Sequence, residues 1–155
     1  MITLTSASKK VVIKIGNLRR LTKSGVEAGA YTSAKGLMKT TSAEILKKPK
    51  GGRTYIRKGP SGRRRRHIAS APGETHANMS GTLRRSLGFK VNPRQIEFGY
   101  GVDQGNAPDY AGFVEFGTSR MKARPSLFNG IKAERRNFQN NFSREIGKRL
   151  EGRGF

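Results

Sequence analysis

Residues 109–125 read DYAGFVEFGTSRMKARP, and the reading of this stretch decides the fold. Tyr110, Phe113 and Val114 stand at i, i+3 and i+4, which puts three apolar side chains on one side of a short helix. Glu115 and Phe116 complete the last turn. Gly117 follows where a helix C-terminus favours a residue that tolerates positive φ. Past Thr118 the period shortens: Met121 and Ala123 alternate with Lys122 and Arg124, which predicts a short strand, until Pro125 opens a second helical pattern.

Downstream, Leu127, Ile131, Phe138, Phe142, Ile146 and Leu150 mark a C-terminal amphipathic helix whose missing step falls at Glu134 and Arg135, with Gly152 and Gly154 fraying its end. Upstream, Asp103 to Pro108 reads as a loop. Before it, Phe89 and Val91, then Ile96, Phe98, Tyr100 and Val102, alternate with polar or glycine positions around Asn92-Pro93-Arg94, which predicts a β-hairpin with one buried face. Ser80 is a good N-cap for a short helix over Thr82 to Leu87, with Leu83 and Leu87 turned inward and Gly88 as its stop.

The N-terminal third carries the longest pattern. Met1 to Lys9 is small and polar and reads as a flexible arm. KVVIKI, Lys10 to Ile15, is β-branched enough to predict a strand. From Gly16, the residues Leu18, Leu21, Gly25, Ala28, Tyr31, Ala34, Met38 and Ile45 follow three- and four-residue steps, a long amphipathic helix ended by Pro49. Its glycines, Gly25, Gly29 and Gly36, each weaken a helix by ~1 kcal/mol relative to alanine, so packing must hold it. The expected fold is α+β in a single domain over 1–155: a small antiparallel or mixed sheet packed by the long N-terminal helix and the C-terminal helix. Residues 1–9 form the arm, and residues 47–79 an extended basic loop or arm.

That basic segment is extreme. Lys47 to Arg66 holds ten basic residues and no acidic one, broken by Gly51, Gly52, Gly59, Pro60 and Gly62. It reads as an extended loop or two-stranded arm. Arg53, Arg57, Lys58, Arg63, Arg64, Arg65 and Arg66 are the candidate DNA-contacting residues. The four consecutive arginines offer, on this reading, no regular element that could enter a groove in fixed register, and contact phosphates without reading bases; a solvated charge run is the other interpretation. The whole chain carries a formal charge of +22 over 155 residues, which points to a polyanionic partner. Leu, Ile, Val and Phe total 32, a thin supply for a core. No apolar run reaches ~20 residues, so no membrane partner is expected, and the absence of cysteine excludes disulfides and thiolate metal sites.

No catalytic constellation emerges, and neither an enzyme nor a cofactor is expected. His67 and His76 have no carboxylate cluster beside them, and the ten acidic residues are scattered. Gly99, Gly101 and Gly105 lack the spacing of a phosphate loop. Tyr110, Phe113 and Phe116 at helical spacing read as core rather than as a base-stacking platform. Glu115, set among apolar neighbours, faces either solvent or a basic partner.

The run YAGFVEFGTSRMKARP resembles the signature of the head-tail connector and tail-completion proteins of long-tailed bacteriophages, a "YA..VEFGT..M.ARP" segment. Ser70 to Leu87, SAPGETHANMSGTLRRSL, is similar to that family's "PGEPPAN.SG.LR.S" stretch, and the long helical pattern precedes it as in the family. His76 stands where the family usually has proline, and Ser126 where an aromatic is common. The resemblance singles out Gly73, Gly81, Leu83, Arg84, Tyr110, Glu115, Phe116, Gly117, Thr118, Arg124 and Pro125 as motif or assembly positions. It also favours an ion pair of Glu115 with Arg84, Arg85, Arg120 or Arg124, fixing the Gly117 turn or joining subunits. What it implies is a structural virion protein of the neck, made in the host cytoplasm. Such a connector, tail-completion or tail-terminator subunit would form a ring, hexameric or dodecameric, around the DNA channel. Its partners would be itself, other neck, portal-side and tail-tube proteins, and packaged double-stranded DNA. A free, sequence-independent nucleic-acid-binding protein is the alternative that the charge alone supports.

Overall fold

A computed structural model describes residues 6–59, 61–92, 95–103 and 105–151. Met1–Thr5 of the expected arm, Pro60, the turn residues Pro93 and Arg94, and the terminal Gly152 and Gly154 lie outside the described residues. The element order is α1 (Ser6–Leu46), β1 (Thr54–Lys58), β2 (Arg64–Ile68), α2 (Thr82–Arg85), β3 (Leu87–Asn92), β4 (Gln95–Tyr100), α3 (Ala111–Phe116) and α4 (Ser126–Glu151). The class is α+β. Its strands form two separate two-stranded antiparallel sheets, β1-β2 and β3-β4, where one small sheet was expected.

Lys10 to Ile15, predicted as a strand, belongs to α1, and so does Ser6 to Lys9. A strand there has no partner for its backbone groups, whereas the helix satisfies them internally, and that outweighs a β-branched preference worth less than about 1 kcal/mol per residue. The strand expected after Thr118 shrinks to a single bridge between Thr118 and Met121. The helix predicted from Ser80 is one turn, N-capped by Gly81 at φ 80°, and Leu87 and Gly88 already belong to β3. The β3-β4 hairpin keeps the expected alternation. Leu87 pairs with Tyr100, Phe89 with Phe98 and Val91 with Ile96 on the apolar face, while Lys90 lies opposite Glu97 on the exposed one.

Helix α1 buries a row that apolar periodicity alone does not find. Gly25, Gly29, Ser33, Leu37, Thr41 and Ile45 recur every fourth residue and all are buried, with Ala30 and Ala34 beside them. This is one i±4 ridge, mostly of small side chains. Tyr31 and Met38, expected on the stripe, are exposed because they sit off that ridge. Helix α4 has its own row at the same spacing: Ser126, Gly130 and Glu134 are buried, and Phe138, Phe142, Ile146 and Leu150 are half-buried. The step missing from the apolar pattern is Glu134.

The chain divides into two compact units, Met1–Ser33 with Arg136–Phe155, and Ala34–Arg135. In the first, α1 and α4 approach so closely that a Cβ on Gly25 would lie 2.8 Å from Ile146 Cα, and one on Gly29 would lie 3.0 Å from Phe142 Cα. Glycine is what lets the two backbones meet. The rings of Phe138 and Phe142 pack at 5.5 Å, and Arg149 donates to Ser24. Propensity alone makes Gly25→Ala stabilising by about 1 kcal/mol. The contact with Ile146 reverses the sign, because overpacking costs about 1–3 kcal/mol. A thermal melt checks it: the variant is expected to melt below the wild type, and a higher midpoint would place α4 farther from α1.

In the second unit, Thr40 Oγ1 donates to Glu134 Oε2 at 2.8 Å, and Gly130 lies directly against Thr41. Arg84 Nη1 donates to Ser42 Oγ at 3.4 Å, so α2 is held to α1. Leu83, Leu87, Ala111 and Ile45 are buried, a small core for the unit, as the thin apolar composition implies. Among the described residues, no helix is long and apolar enough to cross a membrane.

Candidate functional site

The two stretches that carry the family resemblance are brought together. Gly73, at φ 81°, donates its N–H to Ala123 O at 2.9 Å, and Arg124 Nε donates to Ser70 O at 3.0 Å. Arg124 N–H in turn donates to Val114 O at 2.8 Å, so this one residue ties the 70–74 loop to α3. Thr118 closes the turn after Gly117. Its N–H donates to Met121 O at 2.7 Å, and its Oγ1 accepts from the N–H groups of Arg120 and Met121. Pro125 is half-buried immediately before α4.

Glu115 is the centre of this arrangement, and its partners are not arginines. It is buried, and its carboxylate reaches the N-terminus of α4. Oε2 accepts from Ser126 N–H at 2.8 Å, and Oε1 accepts from Leu127 N–H at 3.0 Å and Phe128 N–H at 3.1 Å. The expected ion pair is thus replaced by a cap. The first turn of a helix leaves N–H groups without internal partners and carries positive partial charge, which a carboxylate from another element answers on both counts. The ion pairs among the described residues join Lys47 to Glu44, and Arg144 and Lys148 to Glu145; Glu115 is in none of them.

Helix α3 consequently turns the opposite way from its apolar spacing. Ala111 and Glu115 are inside, while Tyr110, Phe113 and Phe116 are 44%, 58% and 84% exposed. Their reading as core is corrected: the carboxylate has to face α4, and the helix rotates the aromatics outward with it. Phe128 and Ile131 on the first turns of α4 are exposed as well.

His76 and Ser126, the two departures from the family pattern, are each other's partners. Both are buried, His76 Nδ1 shares a hydrogen bond with Ser126 Oγ, and His76 N–H donates to the same oxygen at 3.3 Å. Tyr100 stands edge-on to the imidazole at 6.4 Å. Burial, with the nearby Lys50 charge adding to it, lowers the His76 pKa to about 4, and burial pushes the Tyr100 phenol up. In the unfolded chain His76 titrates near 6.5, so the unfolded state binds the proton first as the pH falls. The stability held by neutral His76 is whole above about pH 6.5 and is lost as the pH falls towards 4, roughly 2 kcal/mol of it by pH 5. Denaturant unfolding at pH 7 and pH 5 tests this: the difference is expected to shrink in His76→Asn, and an undiminished one would overturn it, since a carboxylate with a lowered pKa, such as Glu74, loses its contribution only below about pH 4.5. That group accepts from Ala71 N–H and Gly51 N–H, and those bonds lower its pKa.

The basic residues form a second feature. Arg64, Arg65 and Arg66 lie on β2 and pair with β1, so the arm takes the two-stranded of its two expected forms, and the expectation that these arginines occupy no regular element is corrected. The alternation of the ladder was masked in sequence by residues of one kind. Arg57 and Lys58 lie on β1, Arg53 stands 5.8 Å over the Tyr55 ring, and Arg63 is exposed at the tip. At its base the hairpin joins a groove of about 590 Å³ lined by Tyr55, His67, His76, Leu83, Tyr110 and Arg124 among others. Among the described residues, no group of three His, Cys, Asp or Glu side chains could hold a metal ion. No family model, curated protein or solved structure matches the chain.

Proposed function

We propose that this chain is a structural subunit of a tailed-bacteriophage neck, a ring-forming head-tail connector or tail-completion protein around the DNA channel. The observation that carries the reading is the convergence of its two motif stretches. Residues 70–87 and 110–125, far apart in sequence, share a backbone hydrogen bond from Gly73 N–H to Ala123 O and a second from the Arg124 side chain to Ser70 O. Resemblance at two sites that cooperate in one local structure is less open to chance than resemblance at two unrelated loops. The exposed aromatics of α3 and the exposed Phe128 and Ile131 agree with it, since a chain with so small a core gains from burying them against neighbours. Hexamer and dodecamer are the two ring sizes that the resemblance allows.

The cationic hairpin also favours a second reading, a free nucleic-acid-binding protein with no symmetric assembly. The two separate on mass and on location. Light scattering of the purified protein at moderate salt, with imaging of particles made with a tagged copy, is the test. A closed ring, or a fixed number of copies at the head-tail junction, supports the neck subunit. A monomer found on cellular nucleic acid and absent from particles overturns it.

A further inference from the structure

We propose that the β1-β2 hairpin is a ribbon that enters the major groove of duplex DNA and contacts the phosphates on both of its walls. The ladder pairs Ile56 with Arg66, Arg57 with Arg65 and Lys58 with Arg64. Directly paired residues share a face and successive pairs alternate, so Arg57 and Arg65 stand on one face and Lys58, Arg64 and Arg66 on the other. All five are exposed. A ribbon that lies on a polyanionic surface needs cations on one face alone. This one is open and cationic on both, which suits a cleft with anionic walls on two sides.

The major groove of B-form DNA is such a cleft, about 12 Å wide, and it admits a two-stranded ribbon between its phosphate ridges. The tip is narrow, closed by Gly59 N–H to Arg63 O at 2.8 Å and Gly62 N–H to Gly59 O at 2.9 Å. The free hairpin is poorly supported. Like charges lie directly opposite at Arg57–Arg65 and Lys58–Arg64, no acid occurs from Lys47 to Arg66, and a two-stranded hairpin is marginal without cover. Phosphates on both sides offset these costs together. The inference goes beyond the neck assignment, because it needs only one chain and a duplex.

The test uses the full chain and random-sequence duplexes. Binding is measured over a range of salt concentrations for the wild type and for two double variants, Arg57→Gln with Arg65→Gln and Lys58→Gln with Arg64→Gln. Each removes the cations of one rung from an exposed surface. Insertion predicts that both doubles flatten the log-log salt slope by similar amounts, up to about 2. It also predicts protection of guanine N7 from dimethyl sulfate, and binding to duplex RNA about tenfold weaker, since the A-form major groove is too narrow to enter. An effect confined to one double variant, unprotected N7, equal affinity for duplex RNA, or no duplex binding would each overturn the proposal. Ring formation is read without DNA, so the failure of either idea is seen apart from the other.

Discussion

Glu115→Ala is expected to bring the protein close to unfolding at ordinary temperature. Three backbone N–H groups at the start of α4 lose their acceptor, and at least the Ser126 N–H is shielded from water that could replace it. A lost cap costs about 0.5–2 kcal/mol in exposed settings, and a buried donor left without its charged partner adds to it, so a loss of roughly 3–5 kcal/mol follows. Against a typical total of about 5–15 kcal/mol, carried here by a small core, that is a large share. Glu115→Gln keeps one carbonyl oxygen and loses the charge, and is expected to fall between. Denaturant unfolding followed by circular dichroism reads both. Had the carboxylate served an arginine, Arg124→Gln would reproduce the loss. In this structure Arg124 holds Ser70 O with its side chain and Val114 O with its backbone, so that variant should cost far less than Glu115→Ala. Equal losses, or a Glu115→Ala protein as stable as the wild type, would remove the cap from the centre of the fold.

The split between what was legible and what was not follows the range of the interactions. Helix α3, the β3-β4 ladder and α4 could be read from spacing, because each is set by neighbours within a few residues. The Gly117 stop was legible for the same reason. Residues 10–15 misled because β-branched side chains state a preference, whereas the presence or absence of a pairing strand is a fact about the rest of the chain. The aromatic face of α3 misled more sharply. Its spacing is right for a helix, but one polar contact, Glu115 to α4, chooses which side faces in. The acid among apolar residues was the visible signal of something unusual; its partners, three backbone amides beyond a turn, carry no side-chain signature at all. Glu134 is a similar case, a polar residue standing where the apolar pattern of α4 skips. His76 and Ser126 were visible separately as departures from a pattern, and only folding shows that the two positions, fifty residues apart, share a hydrogen bond.

Gly117→Ala is the second large expected loss, and Gly73→Ala is its control. Gly117 sits at φ 81° and ψ −176°, a region that essentially only glycine occupies, and the conformational strain of any side chain there is about 1–3 kcal/mol. Space makes it worse. A Cβ at this position would lie 2.7 Å from Met121 O and 2.8 Å from Ala123 N, both backbone atoms. Neither can swing aside as a flexible side chain could: Met121 O accepts from Thr118 N–H, and Ala123 O accepts from Gly73 N–H. Relieving the clash therefore loosens the turn, the link to the 70–74 loop and, through Arg124, the start of α4 that Glu115 caps. The expected total is roughly 3 kcal/mol or more. Gly73 shares the sign of φ, at 81°, but nothing lies within 4 Å of where its Cβ would be, so its cost is conformational alone, about 1 kcal/mol. Melting curves of the two variants side by side separate strain from collision. If Gly73→Ala loses as much as Gly117→Ala, backbone angle is the whole effect and the close packing of residues 117–123 contributes nothing; a loss at Gly117 beyond the about 3 kcal/mol that backbone strain alone accounts for places the collision at the turn that leads into α4.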